Sequence, residues 1–199
     1  MPNSLSVSPL PADAIVDHGD RAVPGRVRRS DPALDVMTDL TRIQPVVIAP
    51  TATIAVANER MIAAGVRLLF VVAGDGRLLG LITATDILGE KPLRYLSEHG
   101  GTHEQILAQD VMTPRDRLET LAMADVARAT VDELVDTMAR VGRQHMLVVE
   151  TDSATGTARV RGLFSTTQIG RQLGEVLGPY TRAVSFAELE SAIAGSNGG

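Results

Sequence analysis

The 199-residue chain contains no cysteine, which excludes disulfide staples, thiol nucleophiles and cysteine-based zinc sites. It also contains no tryptophan. Its aromatics are Phe70, Phe164, Phe186, Tyr95 and Tyr180, too few for a platform on which successive bases stack. Positive charge is not in excess: 19 Lys and Arg against 24 Asp and Glu leave a net −5, the wrong sign for a general nucleic-acid surface. Long apolar runs are missing, and none approaches the ~18 residues of a membrane span. The N-terminus carries Asp13, Asp17 and Asp20 in place of an apolar signal core. These absences lead us to expect a cytoplasmic protein with no nucleic-acid partner and no membrane insertion.

Catalytic signatures are equally scarce. The chain has no phosphate loop of the Gly-x-x-x-x-Gly-Lys type, no nucleophile elbow and no His-Glu-x-x-His helix. His99 and His103 stand four apart, but Gly100 and Gly101 between them break the helix that would align them on a metal. No catalytic residue and no structural metal are expected, and the chain is not read as an enzyme.

What is present is an ordinary globular balance, 44% apolar and 22% charged residues, and an internal repeat. Residues 1–33 hold Pro2, Pro9, Pro11 and Pro24 and the basic trio Arg26, Arg28 and Arg29, and read as a loosely attached, solvated arm. Beyond it, Asp35-Val36-Met37-Thr38 returns as Asp110-Val111-Met112-Thr113, 75 residues later. Thr53, Met61 and Gly65 return as Thr130, Met138 and Gly142 at an offset of 77, and Gly80, Leu81 and Thr83 return as Gly162, Leu163 and Ser165 at 82. The final jump places extra residues at 151–158, where Ser, Thr and Gly mark a longer hairpin loop.

Each copy shows the same order of elements. A short strand (45–49, and about 118–126) precedes a helix with Thr53 or Thr130 as its N-cap. Thr130 and Glu133 form a capping box. Apolar residues recur at helical spacing, and Gly65 or Gly142 closes the helix. Two strands follow (68–72 and 78–82; 146–149 and 160–164), the first pair joined by Gly74-Asp75-Gly76, and a short helix begins at Ala84 or Thr166. The fold class is therefore α+β, with a β-α-β-β-α unit occurring twice.

This order, opened by Val-Met-Thr and closed by Gly-hydrophobe-x-Thr/Ser, resembles the CBS (cystathionine β-synthase) domain. The resemblance gives repeat 1 at 34–89, a helical linker at 90–109, repeat 2 at 110–177, and a tail at 178–199 with a short helix capped by Ser185 and Glu188. It implies two repeats packed through their sheets into one pseudo-twofold module, with clefts between them for adenosyl ligands. Suspected ligands are AMP, ADP or ATP, with S-adenosylmethionine also possible. Modules of this kind pair into homodimers and act on a protein partner, here unidentified.

The family's nucleotide signature, Gly-h-x-Thr/Ser-x-x-Asp/Asn, is complete in Gly80-Leu81-Ile82-Thr83-Ala84-Thr85-Asp86. Here Thr83 and the amides near Ala84 would face a phosphate, Asp86 would accept from ribose hydroxyls, and Gly80 would allow close backbone approach. The resemblance adds Thr38, Val47, Leu69 and Val71 as walls of the purine slot and Arg67 as a phosphate contact. In the second copy Gln168 replaces the acid, so Gly162, Ser165, Gln168, Thr113 and His145 describe a weaker second site. Two other readings stand beside this one: Thr83 and Asp86 also suit a simple helix cap, and the module also reads as a ligand-free dimerisation scaffold.

Overall fold

The computed structural model of the protein describes residues 25–177. The tail helix expected after Pro179 lies outside the described residues. Within them the duplicated unit is present as two four-stranded sheets, each covered by helices on one side and facing the other sheet on its second side.

In the first half, β1 (Thr38–Asp39) and β2 (Val47–Ile48) precede α1 (Ile54–Ala64), β3 (Leu68–Val72), β4 (Leu78–Thr83) and α2 (Ala84–Leu88). The linker forms α3 (Lys91–His99) and α4 (Ala108–Val111). The second half runs β5 (Thr113–Pro114), β6 (Thr120–Ala122), α5 (Met123–Val126), α6 (Val131–Val141), β7 (His145–Thr151), β8 (Ala158–Ser165) and α7 (Thr166–Leu173). The local signals explain the long helices. The Thr53 side chain accepts from the Val56 amide, and Thr130 and Glu133 cap each other reciprocally. Gly65 and Gly142 end these helices at φ 65 and 66°, a conformation that favours glycine. One strand differs from expectation: the segment expected as a strand over about 118–126 is extended only to Ala122, and Met123–Val126 turns into helix to bury Val126.

Sheet order shows how the halves are joined. The first sheet runs β2-β3-β4-β5 and the second β1-β8-β7-β6. Each opening Val-Met-Thr segment therefore pairs with the sheet of the other repeat: Thr38 lies opposite Leu163, and Thr113 opposite Leu81. The cores follow suit. Ala33 and Val36 pack with Val131, Leu134 and Phe164, whereas Ala108 and Val111 pack with Ile54, Leu69 and Ile82. The sequence boundaries 34–89 and 110–177 group residues by resemblance, while the packed units exchange their leading segments.

Two glycines permit the exchange. A Cβ on Gly80 would lie 2.5 Å from the Thr113 carbonyl oxygen and 2.8 Å from Met112 Sδ. A Cβ on Gly162 would lie equally close to Met37 Sδ. Residues 25–33, expected as the end of a loose arm, lie along the second repeat: the Val27 amide donates to Gln172 O, and Arg29 pairs with Asp132 and Glu175, both at 2.7 Å. The exchange itself tethers them, because Ala33 and Val36 just downstream are buried in that repeat's core.

Strand β3 shows what faces the space between the sheets. Its side chains alternate, as a pleated strand requires. Leu68 and Phe70 join Leu81 and Leu147 between the sheets, while Leu69 and Val71 are fully buried beneath the helices.

Candidate functional site

Thr83 ends β4 and caps α2. Asp86 Oδ2 accepts from the Thr83 amide and from the Thr83 hydroxyl, both at 2.7 Å, and the hydroxyl oxygen in turn accepts from the Asp86 amide at 3.3 Å. The other carboxylate oxygen, Oδ1, lies 2.7 Å from Lys91 Nζ, in a pair only 12% and 34% exposed. Lys91 also donates to the Val111 carbonyl at 2.9 Å. Both oxygens of Asp86 thus have partners from within the chain. The acid lines the cleft, but a ribose would have to compete with the cap and the lysine.

The cleft beside it has a volume of about 240 Å³ and draws walls from both repeats: Thr83 and Asp86 from one, Glu119, Arg143 and His145 from the other, with Thr113 between. Arg143 is already committed. Its guanidinium holds Glu119 through Nε at 2.5 Å and Nη2 at 2.9 Å, and it donates to the Arg117 carbonyl at 3.0 Å. Two cations at this cleft and its margin, Arg143 and Lys91, are bound to carboxylates, while Arg94 and Arg117 line the adjoining groove.

A second cleft, about 440 Å³, lies around Gln168. The Thr38 hydroxyl donates to Gln168 Oε1 at 3.1 Å, tying β1 to α7 across the exchange. Ile43, Val46, Leu68 and Phe70 supply an apolar wall, and Ser165, Arg67 and Arg171 supply polar groups. No Asp or Glu lines it among the described residues, and neither arginine makes a salt bridge among them. The Ser165 side chain makes no capping bond, so the first amides of α7 lack the side-chain partner that those of α2 have. His145 borders both clefts. Burial pushes its imidazole below the ordinary value, with Asp86 opposing and Arg67 reinforcing the shift.

The structure redistributes the residues read from the sequence. Thr38 and Arg67, grouped there with Asp86, stand with Gln168. Thr113, grouped with Gln168, stands with Asp86, while His145 serves both. Leu69 and Val71 line neither cleft because they face the helices. Val47 lies toward the other end of the sheets. Gly80 and Gly162 serve the strand exchange, and Ala84, the first residue of α2, is buried in the first repeat's core.

Residues 33–92 match the family model of the CBS domain. The chain is also similar to an uncharacterized conserved protein from Pyrococcus horikoshii, at 21% identity over 72% of this chain and 92% of that one, with a TM-score of 0.51. A similar likeness holds for the CBS-domain containing protein ATU1752 from Agrobacterium tumefaciens: 19% identity, 73% and 97% coverage, TM-score 0.51. The CBS-domain match is thus confined to residues 33–92, and the chain as a whole shares the fold of these structures. No curated protein matches it. CBSX2, from Arabidopsis thaliana, was solved in complex with AMP and is 17% identical over 71% of this chain and 94% of that one. Its TM-score with this chain is 0.48.

Several residues at the two clefts leave less trace in the sequence. Arg171 follows Gln168 by three positions on α7, the spacing that puts two side chains on one helix face, and this signal was legible. Lys91 and Glu119 were not. Their roles depend on where α3 and β6 dock, which no local pattern specifies.

Proposed function

We propose that the chain is a regulatory CBS-pair module that binds an adenine nucleotide, or another adenosyl ligand, in the 440 Å³ cleft and acts on a protein partner in trans. The observation carrying this reading is charge: Arg67 and Arg171 face a cleft with no carboxylate in its wall, whereas Lys91 and Arg143 beside Asp86 are already paired. An anion entering the 440 Å³ cleft gains charge-assisted hydrogen bonds without breaking existing ion pairs. The Ser165 hydroxyl offers a further donor to a phosphate. The Thr38–Gln168 pair is placed for ribose hydroxyls, and Ile43, Val46 and Phe70 for a purine face. Because both repeats contribute walls, a ligand that fits one relative setting of the repeats better than another shifts the module toward it. This reading moves the preferred site from Asp86 to Gln168.

Calorimetry with AMP, ADP, ATP and S-adenosylmethionine tests it. Arg67→Ala is expected to weaken the bound ligand by roughly ten- to hundredfold, the effect of losing one charged hydrogen bond, while Asp86→Ala leaves affinity within about twofold. Loss of binding on Asp86→Ala with none on Arg67→Ala returns the site to the smaller cleft.

Homodimerisation belongs to the same proposal. Ile62, Leu88 and Leu93, on the adjoining helices α1, α2 and α3, are 72%, 74% and 70% exposed. They form apolar surface of the sort that marks a protein contact. If no adenosyl compound binds, this surface leaves the scaffold reading standing, and sedimentation of Leu88→Asp, expected to be monomeric, decides it.

A further inference from the structure

The sheets do not meet along their whole length. Leu68, Phe70, Leu81 and Leu147 close the space between them near the clefts. Toward the hairpins, Val47, Val72, Leu118 and Val160 are only partly buried, and an open groove of about 850 Å³ remains. This volume lies within the roughly 300–1,000 Å³ of small-molecule sites and is larger than either cleft described above. Apolar surface of this kind, left open to water in both repeats at once, is unfavourable. The groove lies between the two sheet faces and takes apolar wall from both, Val47 and Val72 on one side and Val149 and Val160 on the other.

Charge at the mouth is one-sided. Arg77, Arg115 and Arg159 line it, with Asp75 as the one acid among the described lining residues. Asp75 is held by Arg77 at 2.6 Å. Arg115 and Arg159 are exposed and make no salt bridge among the described residues, although the Asp152 carboxylate lies within electrostatic reach of Arg159. An apolar slot with Arg115 and Arg159 at its opening complements an amphiphile with an anionic head and an unbranched tail.

We infer that this groove is a binding site for a fatty-acid carboxylate, with the acyl chain between the sheet faces and the carboxylate on Arg115 and Arg159. The site is separate from the nucleotide cleft, since the two share only Leu40, Pro45 and Phe70 of their walls. A chain lodged there touches both repeats and resists their relative movement.

The test is calorimetry on the full chain with decanoate, decanol and decyltrimethylammonium. Decanoate is expected to bind, decanol at least tenfold more weakly, and the cation not at all. Arg115→Ala with Arg159→Ala should reduce decanoate affinity at least tenfold. Ala158→Trp, an exposed position on the groove wall, should block it while circular dichroism shows the fold retained. Arg67→Ala should leave decanoate binding unchanged, whether or not nucleotide binds, which separates this site from the one proposed above. Absence of decanoate binding, equal binding of decanol, or indifference to Ala158→Trp overturns the inference. So does a dimer that Ala158→Trp dissociates, which would assign the groove to a second copy.

Discussion

Asp86 and Gln168 hold the same place in the two repeats, yet their surroundings make them different groups. The acid completes a helix cap and binds Lys91; the amide accepts from Thr38 and sits near Arg171. A third polar residue, Asp39, shows how strongly one carboxylate can be held. It accepts from the Thr41 hydroxyl and amide and from Arg161, which lower its pKa to about 2. A carboxyl whose pKa falls on folding contributes stability above its unfolded value near 4, and the contribution is lost as pH drops toward 2. Asp39→Asn should therefore flatten the fall in stability between pH 4 and 2, measured as urea midpoints at each pH. At Gly80 the issue is space. Gly80→Ala sets a methyl against the Thr113 carbonyl and should cost about 1–3 kcal/mol in denaturant unfolding.

At the scale of elements, the helices owe their limits to short signals. The cap of α6 joins Thr130 and Glu133 through bonds of 2.8, 3.0 and 3.3 Å. Thr130→Ala should cost about 1 kcal/mol, read from the thermal or urea transition. The caps, the closing glycines, the hairpins and the two-fold repeat of elements were all legible, because each depends on residues a few positions apart. Strand β3 was legible as a strand but not as a face. Its sequence, Leu-Leu-Phe-Val-Val, is apolar throughout, since the sheet is covered on both sides. With no alternation to read, Leu69 and Val71 were placed in the slot, although Leu68 and Phe70 face it.

The whole molecule is bound together by exchange. Each sheet includes a strand that follows the opening of the other repeat, and each helical core includes that repeat's apolar residues. The halves should therefore unfold as one. Val36 belongs to the first repeat in sequence and to the second repeat's core in space, fully buried. Val36→Ala should lower global stability by about 2 kcal/mol. By hydrogen exchange, amides of β7 and β3 should lose protection together. Two separate transitions, with β3 protection retained, would contradict this.

By itself the sequence determined the duplication, the α+β element order, the helix ends and the positions of Thr83, Asp86, Ser165 and Gln168 at strand-to-helix turns. Tertiary structure alone decided which opening segment meets which sheet, and so which residues share a cleft. Thr38 reaches Gln168 across 130 positions, and Lys91 and Arg143 find their carboxylates only once α3 and β6 are docked. Such pairings are set by the packing of whole layers, whose energy is spread over many distant contacts and leaves no short pattern in the chain.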